Sequence, residues 1–434
     1  MTQGHPAAVG HGMGTAPEAK DWPDIRPNEL HVLQQHYAEL QGRLEILWRS
    51  PRPFSSALLV RVHESDMPSH TENEHGSSGL QHQTASEQDH LSQSEQVQNP
   101  SQDYFIKRSH CSFRSAEDLI EEHHFIQFLA QQGLAVPELL KTQQQRTALL
   151  LEDWSYEVHK KAKGIDVYID HLSWKPFFYA EHAAQAGLKL AKLHQIAANY
   201  PIRQERSARY LVSNQRLLDS DDLAAAIQLR IESSPTLCQY FAENPLDPQF
   251  LNDVSSIHQN IKTYFALEQK IWTHNDFHAS NLLWSDETAQ AKVTTVIDFG
   301  LCDYNSAIYD LAVSIERNFI DWLALEHSAH IAIDEQGLTA FLKAYLSRTQ
   351  TIQHLHILPE LLHIVHIDFT LSELEYFLAI TGNLQHAHAA HYDWLIGHVE
   401  WFKGLQGQML SEMIHRIIKQ RLSQTDHPLD STGS

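Results

Sequence analysis

The chain has 434 residues, 42% apolar and 20% charged, the balance of a globular protein with room for two domains. Asp and Glu number 54 against 32 Lys and Arg, a formal net charge of −22, so no nucleic-acid partner is expected, because neutralising phosphates needs a basic face. Cys111, Cys238 and Cys302 lie far apart with no CxxC spacing, which excludes a disulfide scaffold and a thiolate zinc site and favours a reducing compartment. No signal-peptide pattern opens the sequence, and no apolar run approaches the ~18 residues of a membrane span. The expectation is a cytoplasmic protein with no membrane partner; nothing in the sequence sets its oligomeric state.

Residues 1–22 are rich in Gly, Pro, Ala and His and read as a flexible tail. Leu30, Leu33, Tyr37 and Leu40 then recur at helical spacing behind Asn28, a candidate N-cap. Three strand-like runs follow: 45–49 (EILWR), 57–62 (ALLVRV) and 104–107 (YFIK), the first two joined by the turn-rich segment 50–56. Residues 64–103 are dense in Ser, Gln, His and Glu and cannot bury enough apolar surface to offset ordering, so they read as a disordered insertion in a β-hairpin. A helix is expected over 115–132, ended by Gly133, and a strand over 148–151. The remainder reads as helical over 177–197, 223–231, 254–270, 309–325, 338–346, 359–380 and 394–418, interrupted by strands at 282–284 and 293–297. A β-rich unit (23–152) thus precedes an α-rich one (153–420), with a frayed tail at 421–434.

The chemistry concentrates in 272–300, WTHNDFHASNLLWSDETAQAKVTTVIDFG. A hydroxyl becomes a phosphoryl acceptor when a carboxylate orients it and takes its proton, and hard oxygen ligands must hold the Mg²⁺ that neutralises a triphosphate. Asp276 suits the first task; Asn281, five residues on, and Asp298, at a strand end, suit the second. The chain lacks the GxxxxGK[ST] loop, and Gly10-His11-Gly12-Met13-Gly14 has no strand before it and no helix after it, so neither P-loop nor dinucleotide-fingerprint chemistry is expected.

In these residues the sequence resembles the aminoglycoside phosphotransferase/choline kinase family, distant relatives of protein kinases. The family's H-G/N-D-x-x-x-x-N appears as His274-Asn275-Asp276 through Asn281, and its I-D-F/W-G as Ile297-Asp298-Phe299-Gly300. Leu190–His194 matches the family's LAxLH helix, and Tyr309-Asp310-Leu311-Ala312 its YDLA, whose Asp supports the catalytic loop. The resemblance implies a protein-kinase-like, two-lobed α+β fold that moves the γ-phosphoryl group of ATP or GTP, with Mg²⁺, to a hydroxyl of a small molecule. It implies that His274 is structural and that Lys107 contacts the phosphates, tethered by Glu122, with Glu117 and Glu121 as competitors and Arg108 as the only close substitute for the lysine. Ser55 and Ser56 would cover the phosphates, and Glu152 through Trp154 would carry the backbone that pairs with the purine.

Asn275 in place of the commoner Gly resembles choline-kinase-like members of the family and some that phosphorylate hydroxylated amino acids, which implies an amino-alcohol acceptor, and the later helices offer Glu316, Arg317, Asp368, Glu373, Glu375, Tyr376, Asp393, Trp394, Glu400 and Trp401 to hold it. Arg317 would suit an acidic acceptor instead. A protein kinase is disfavoured by the lack of a glycine-rich loop and of an A-P-E segment, and a silent nucleotide-binding scaffold by the intact Asp276, Asn281 and Asp298. Among the 31 histidines, His354/His356/His363/His366 and His386/His388/His391 have metal-like spacings without a matching carboxylate pattern and read as adventitious.

Overall fold

The computed structural model describes residues 21–50, 54–63, 102–169, 174–322, 331–348 and 351–425. Most of the proposed insertion and both outer tails fall outside that set.

The N-terminal lobe is a five-stranded antiparallel sheet in the order β1-β2-β3-β5-β4: β1 (Arg43–Arg49), β2 (Ser56–His63), β3 (Gln102–His110), β4 (Ala148–Leu151) and β5 (Trp154–Lys160). Helix α1 (Pro27–His36) covers one face, burying Leu30, Leu33 and, just past its end, Tyr37 against Leu58, Val60, Ile106 and Val158. Alternation along β3 therefore sends Tyr104 and Ile106 into that core and turns Lys107 to the opposite face, where α2 (Ala116–Gln131) lies. Ser115 caps α2, its Oγ accepting from the Asp118 amide while the Asp118 carboxylate accepts from Ser115 N–H.

The C-terminal lobe is mainly helical: α3 (Ala180–Ala197), α4 (Leu223–Glu232), α5 (Pro235–Glu243), α6 (Pro248–Phe265), α7 (Ala307–Phe319), α8 (Glu335–Leu346), α9 (Leu358–Leu361), α10 (Ile367–Tyr376), α11 (Leu384–Ala389), α12 (Gly397–Lys403) and α13 (Leu405–Thr425). Two short ribbons frame the motifs. β6 (Lys270–Thr273) pairs with β9 (Asp303–Ser306), and β7 (Leu282–Trp284) pairs with β8 (Val293–Val296). Residues 274–281 thus span β6 to β7, and Asp298 lies between β8 and β9. Against this frame α3 packs on α8 so closely that a Cβ on Gly187 would stand 2.4 Å from the Phe341 carbonyl oxygen.

Several boundaries differ from the expectation. Leu151 pairs with Trp154, so Glu152 and Asp153 are a two-residue hairpin turn, with Glu152 at φ 53°, and β5 completes the first lobe. The lobe boundary therefore moves from 152/153 to beyond Lys160. There the chain bridges to the second lobe, Ile165 exchanging both backbone hydrogen bonds with Trp284. Asp21 and Trp22 are ordered parts of the fold rather than tail: Trp22 stacks on His110 at 4.6 Å and donates to the Tyr376 hydroxyl. Gln102 and Asp103 belong to β3, where Asp103 accepts from Arg61 at 2.7 Å. Arg26 rather than Asn28 caps α1, because Pro27 takes the first helical position. The helix expected over 254–270 ends at Phe265 so that Lys270 can open β6, and those expected over 359–380 and 394–418 break into shorter segments; α13 runs on to Thr425.

Gly164 makes the crossing possible. Its φ is +112°, and a Cβ there would meet Thr294 Oγ1 at 2.2 Å and the Trp284 carbonyl at 2.9 Å. Gly164→Ala combines a disallowed backbone with overlap, so a loss of ~1–3 kcal/mol is expected in urea unfolding. An unchanged midpoint would show that the crossing is not held as described.

Candidate active site

Residues 274–281 form a loop whose shape is set by α7. Asp310, fully buried, accepts the backbone N–H of His274 and of Asn275, each at 2.9 Å, through its two carboxylate oxygens. His194 on α3 adds a third bond, Nε2 to Asp310 Oδ2 at 2.9 Å, and its Nδ1 is 2.7 Å from the Tyr345 hydroxyl. The LAxLH and YDLA segments are thus two halves of one support. His274 Nε2 reaches the Ile297 carbonyl at 3.1 Å and ties the loop to the segment between β8 and Asp298.

Asn275 holds φ +60°, a left-handed conformation open to Gly and Asn. Its side chain is consumed by the fold: Nδ2 donates to the Ser213 and Leu301 carbonyls, and Oδ1 accepts from Thr273 Oγ1. The Gly-or-Asn choice here follows from backbone geometry and says nothing about the acceptor, which removes the sequence argument for an amino alcohol.

Asp276 follows on this loop and is half-buried. Asn281 Nδ2 donates to its carbonyl at 2.8 Å and to Oδ2 at 3.0 Å, and Arg317 Nη2 lies 2.8 Å from Oδ1. Burial pushes this carboxyl up, but the Arg317 guanidinium, with His278 and His274, outweighs it and holds the group well below the usual carboxylate range. Arg317 is itself fixed, its guanidinium 4.0 Å from the centroid of the Trp174 ring.

Across the cleft Lys107 Nζ is 3.0 Å from Asp298 Oδ1, an ion pair joining the two lobes. Asp298 takes φ +56°, and its side chain remains 45% exposed. Burial raises its pKa, and Lys107 brings it below the ordinary value. Asp276 and Asp298 are close enough for each to feel the other's charge. The residues fit a magnesium ion: Asp298 offers an accessible carboxylate, and Asn281, with Nδ2 engaged by Asp276, turns its amide oxygen the other way.

Glu122 is brought to the same region but does not pair with Lys107. It is buried between Arg114 at 3.8 Å and Arg206 at 3.6 Å, and both arginines donate to the Gly300 carbonyl, at 2.7 and 2.9 Å. It therefore braces the turn after Asp298. The carboxylate opposite Lys107 in the sheet is Glu157 of β5, which sequence reasoning missed because register alone brings it there. Glu157 accepts from His123 at 3.0 Å and His159 at 2.8 Å, and these bonds hold it ionised despite burial. Glu121 accepts from Ser207 instead.

Ser56 opens β2 with its Oγ accepting from the Ile25 amide at 3.1 Å and buried, which leaves Ser55 as the half-buried member of the pair. Pro53 lies outside the described residues. Glu152 and Trp154 do not lie on the interlobe crossing; Trp154 is a sheet residue stacked on the Arg108 guanidinium at 3.8 Å. The crossing is 161–165, and the sequence did not mark it because Lys-Ala-Lys-Gly-Ile carries no strand or helix signal.

Beside Asp276 a cavity opens, lined by Trp174, Asn275, Glu316, Arg317, His366 and Trp394 among others. Of the proposed acceptor residues, Glu316, Arg317 and Trp394 reach it. Glu373 is buried close enough to Arg317 for its charge to be felt, with burial raising its carboxyl to about 8. Glu375 is consumed by Arg209, Arg230 and Ser234, Tyr376 by Asp21 and Trp22, and Glu400 by Lys403.

Comparison with known proteins bears on this arrangement. The model of the phosphotransferase enzyme family (APH) matches residues 86–350, more than half of the chain. No curated protein matches the sequence. Among solved structures, a microcompartment-associated aminopropanol kinase aligns at 13% identity and TM-score 0.51, covering 90% of this chain and 99% of that one. An amicoumacin kinase, hAmiN, in complex with AMP-PNP, Ca²⁺ and Ami aligns at 13% identity and TM-score 0.47, over 91% and 94% of the two chains. A spectinomycin phosphotransferase, APH(9)-Ia, in complex with ADP and spectinomycin aligns at 11% identity and TM-score 0.44, over 91% and 99%. Among the described residues no helix is long and apolar enough to cross a membrane.

Proposed function

The chain belongs to the phosphotransferase enzyme family, and from that premise we propose that it transfers the γ-phosphoryl group of ATP or GTP to a hydroxyl of a small molecule, an amino alcohol, aminoglycoside or hydroxy amino acid. The observation that carries this reading is the convergence of Asp276, Asn281, Asp298 and Lys107 at one cleft, two on each of the hydrogen-bonded pairs 276–281 and 107–298.

In this reading the acceptor hydroxyl approaches Asp276 on the side of Arg317 and Trp174. The ionised carboxylate accepts the proton of the acceptor hydroxyl as that oxygen bonds to the γ-phosphorus, and the bond to the bridging oxygen of the nucleoside diphosphate breaks. Asn281 and Asp298 would hold Mg²⁺, which neutralises the phosphate charge. Lys107 leaves its pair with Asp298 for the phosphate oxygens, and Arg114 and Arg206, aligned by Glu122, keep the 298–300 turn in place. Arg317 holds Asp276 ionised and oriented. Ser55 is the remaining side-chain candidate over the phosphates.

The test is release of ADP or GDP, with and without Mg²⁺, against a panel of aminoglycosides, amino alcohols, hydroxy amino acids and sugars. Acceptor-stimulated, magnesium-dependent release is expected for one donor and one acceptor class. Nucleotide binding with no stimulation by any member would instead favour a silent nucleotide-binding protein.

A further inference from the structure

The wall of the cavity beside Arg317 carries a constellation that phosphoryl transfer does not use. Glu316 comes from α7, His366 from the residue before α10, and His398 from α12; all three are buried, and Glu316 and His366 line the cavity. His398 Nδ1 lies 2.8 Å from Glu316 Oε1, His366 Nδ1 lies 3.8 Å from the same oxygen, and the three ligand atoms fall within 4.8 Å of one another. Tetrahedral ligands at the ~2.0–2.1 Å of zinc stand ~3.3 Å apart, between the two measured separations.

We propose that Glu316, His366 and His398 form a binding site for a divalent transition-metal ion of the zinc class, its open coordination position turned to the cavity.

The tautomer of His366 carries the argument. Its Nε2 faces the Leu395 carbonyl at 3.4 Å and donates to it, so Nδ1 presents a lone pair toward the Glu316 carboxyl group, 3.8 Å away. That buried Nδ1 has no hydrogen-bond partner, and a cation between it and Glu316 satisfies both. A ring held by a backbone carbonyl on its far nitrogen is the outer support that metal-bound histidines use. The His398 ring is fixed as well, stacked on Trp322 with centroids 3.7 Å apart. On metal entry the His398 proton moves from Nδ1 to Nε2.

A second histidine group shows the contrast. His123 and His159 each place Nε2 on Glu157 Oε2, at 3.0 and 2.8 Å, and two donated hydrogen bonds account for that contact in full. Nitrogen donors select a zinc-class ion over Mg²⁺, so this site is separate from the one at Asn281 and Asp298. The fourth position would take a Lewis-basic group of the acceptor, a role that rests on the phosphotransferase reading; the metal site itself does not.

The full chain without a histidine tag, stripped with EDTA, is titrated with Co²⁺ and followed by visible absorption. Bands of a four-coordinate ion that saturate at one equivalent and are displaced by Zn²⁺ are expected. His366→Gln and His398→Gln should each weaken binding by at least ~10²-fold, beyond what losing an outer support alone removes, with far-UV circular dichroism confirming that the metal-free variants fold. His356→Gln, at an exposed position, should leave the bands unchanged. Absence of one-equivalent bands in the wild-type protein overturns the proposal without recourse to any variant, as does persistence of the bands in both folded glutamine variants. Nucleotide turnover measured in parallel separates the two readings: bands without turnover strike phosphoryl transfer, and turnover without bands strikes the metal site.

Discussion

Asp276→Ala is expected to lower kcat by ~10²–10⁴-fold while nucleotide binding survives, the range that loss of a positioned general base produces. The asymmetry follows from the site. Asp276 contacts Asn281 and Arg317, whereas the cross-lobe pair proposed to meet the phosphates is Lys107 with Asp298. Isothermal titration with a non-hydrolysed nucleotide, beside steady-state turnover, separates the two effects, and near-normal turnover in the variant would remove Asp276 from its role. A pH signature accompanies it. Because Arg317 holds the Asp276 pKa below its ordinary value, the base stays ionised down through pH 4 and contributes no acid limb to kcat/KM above that. Arg317→Gln removes the cation and leaves the burial, so the Asp276 limb should move to higher pH. A limb that stays in place in that variant would show that the ion pair does not govern the base.

The largest effect on stability is expected at Asp310. Alanine there would strand two backbone N–H groups of the catalytic loop and the His194 ring nitrogen, all in a fully buried setting. Each stranded donor costs ~1–3 kcal/mol, and breaking a buried pair typically costs 3–5 kcal/mol, so a loss of ~3–5 kcal/mol is expected. Since a domain is stable by only about 5–15 kcal/mol, Asp310→Ala should unfold at markedly lower urea concentration. Asp310→Asn keeps one acceptor oxygen and should lose less. The sign with pH is fixed by the lowered pKa of Asp310, where burial is outweighed by His194: its contribution is present above the unfolded carboxyl value and fades as pH falls through the folded one. A loss below ~1 kcal/mol for Asp310→Ala would mean that the loop holds its shape without this anchor.

Much of the site could be read from residue order. The His274–Asn281 and Ile297–Gly300 blocks are local: the loop between two short strands is only eight residues long, so spacing alone returns Asp276 and Asn281 to one place. The strand at 148–151, the one at 282–284 and the helix at α2 were likewise legible from composition and alternation, and Lys107 from its place on an apolar strand. What escaped was non-local. Leu-Leu-Leu-Glu-Asp-Trp reads as a strand followed by polar residues, so 152–153 looks like the interlobe crossing in sequence, and only pairing with β5 shows that the sheet continues.

The sequence by itself determined the family, because the motifs that carry the resemblance are short blocks whose spacing survives in one dimension, and it determined the helix-rich character of the second lobe. The tertiary structure alone decided who stands next to whom. It paired Lys107 with Asp298, gave Glu122 to Arg114 and Arg206, set Arg317 on Asp276, and joined Glu316 to His398 across 82 residues. The reason is physical: a side chain's partner is chosen by packing that brings distant elements together, and one-dimensional spacing carries no record of that choice once the intervening chain is longer than a turn or a hairpin.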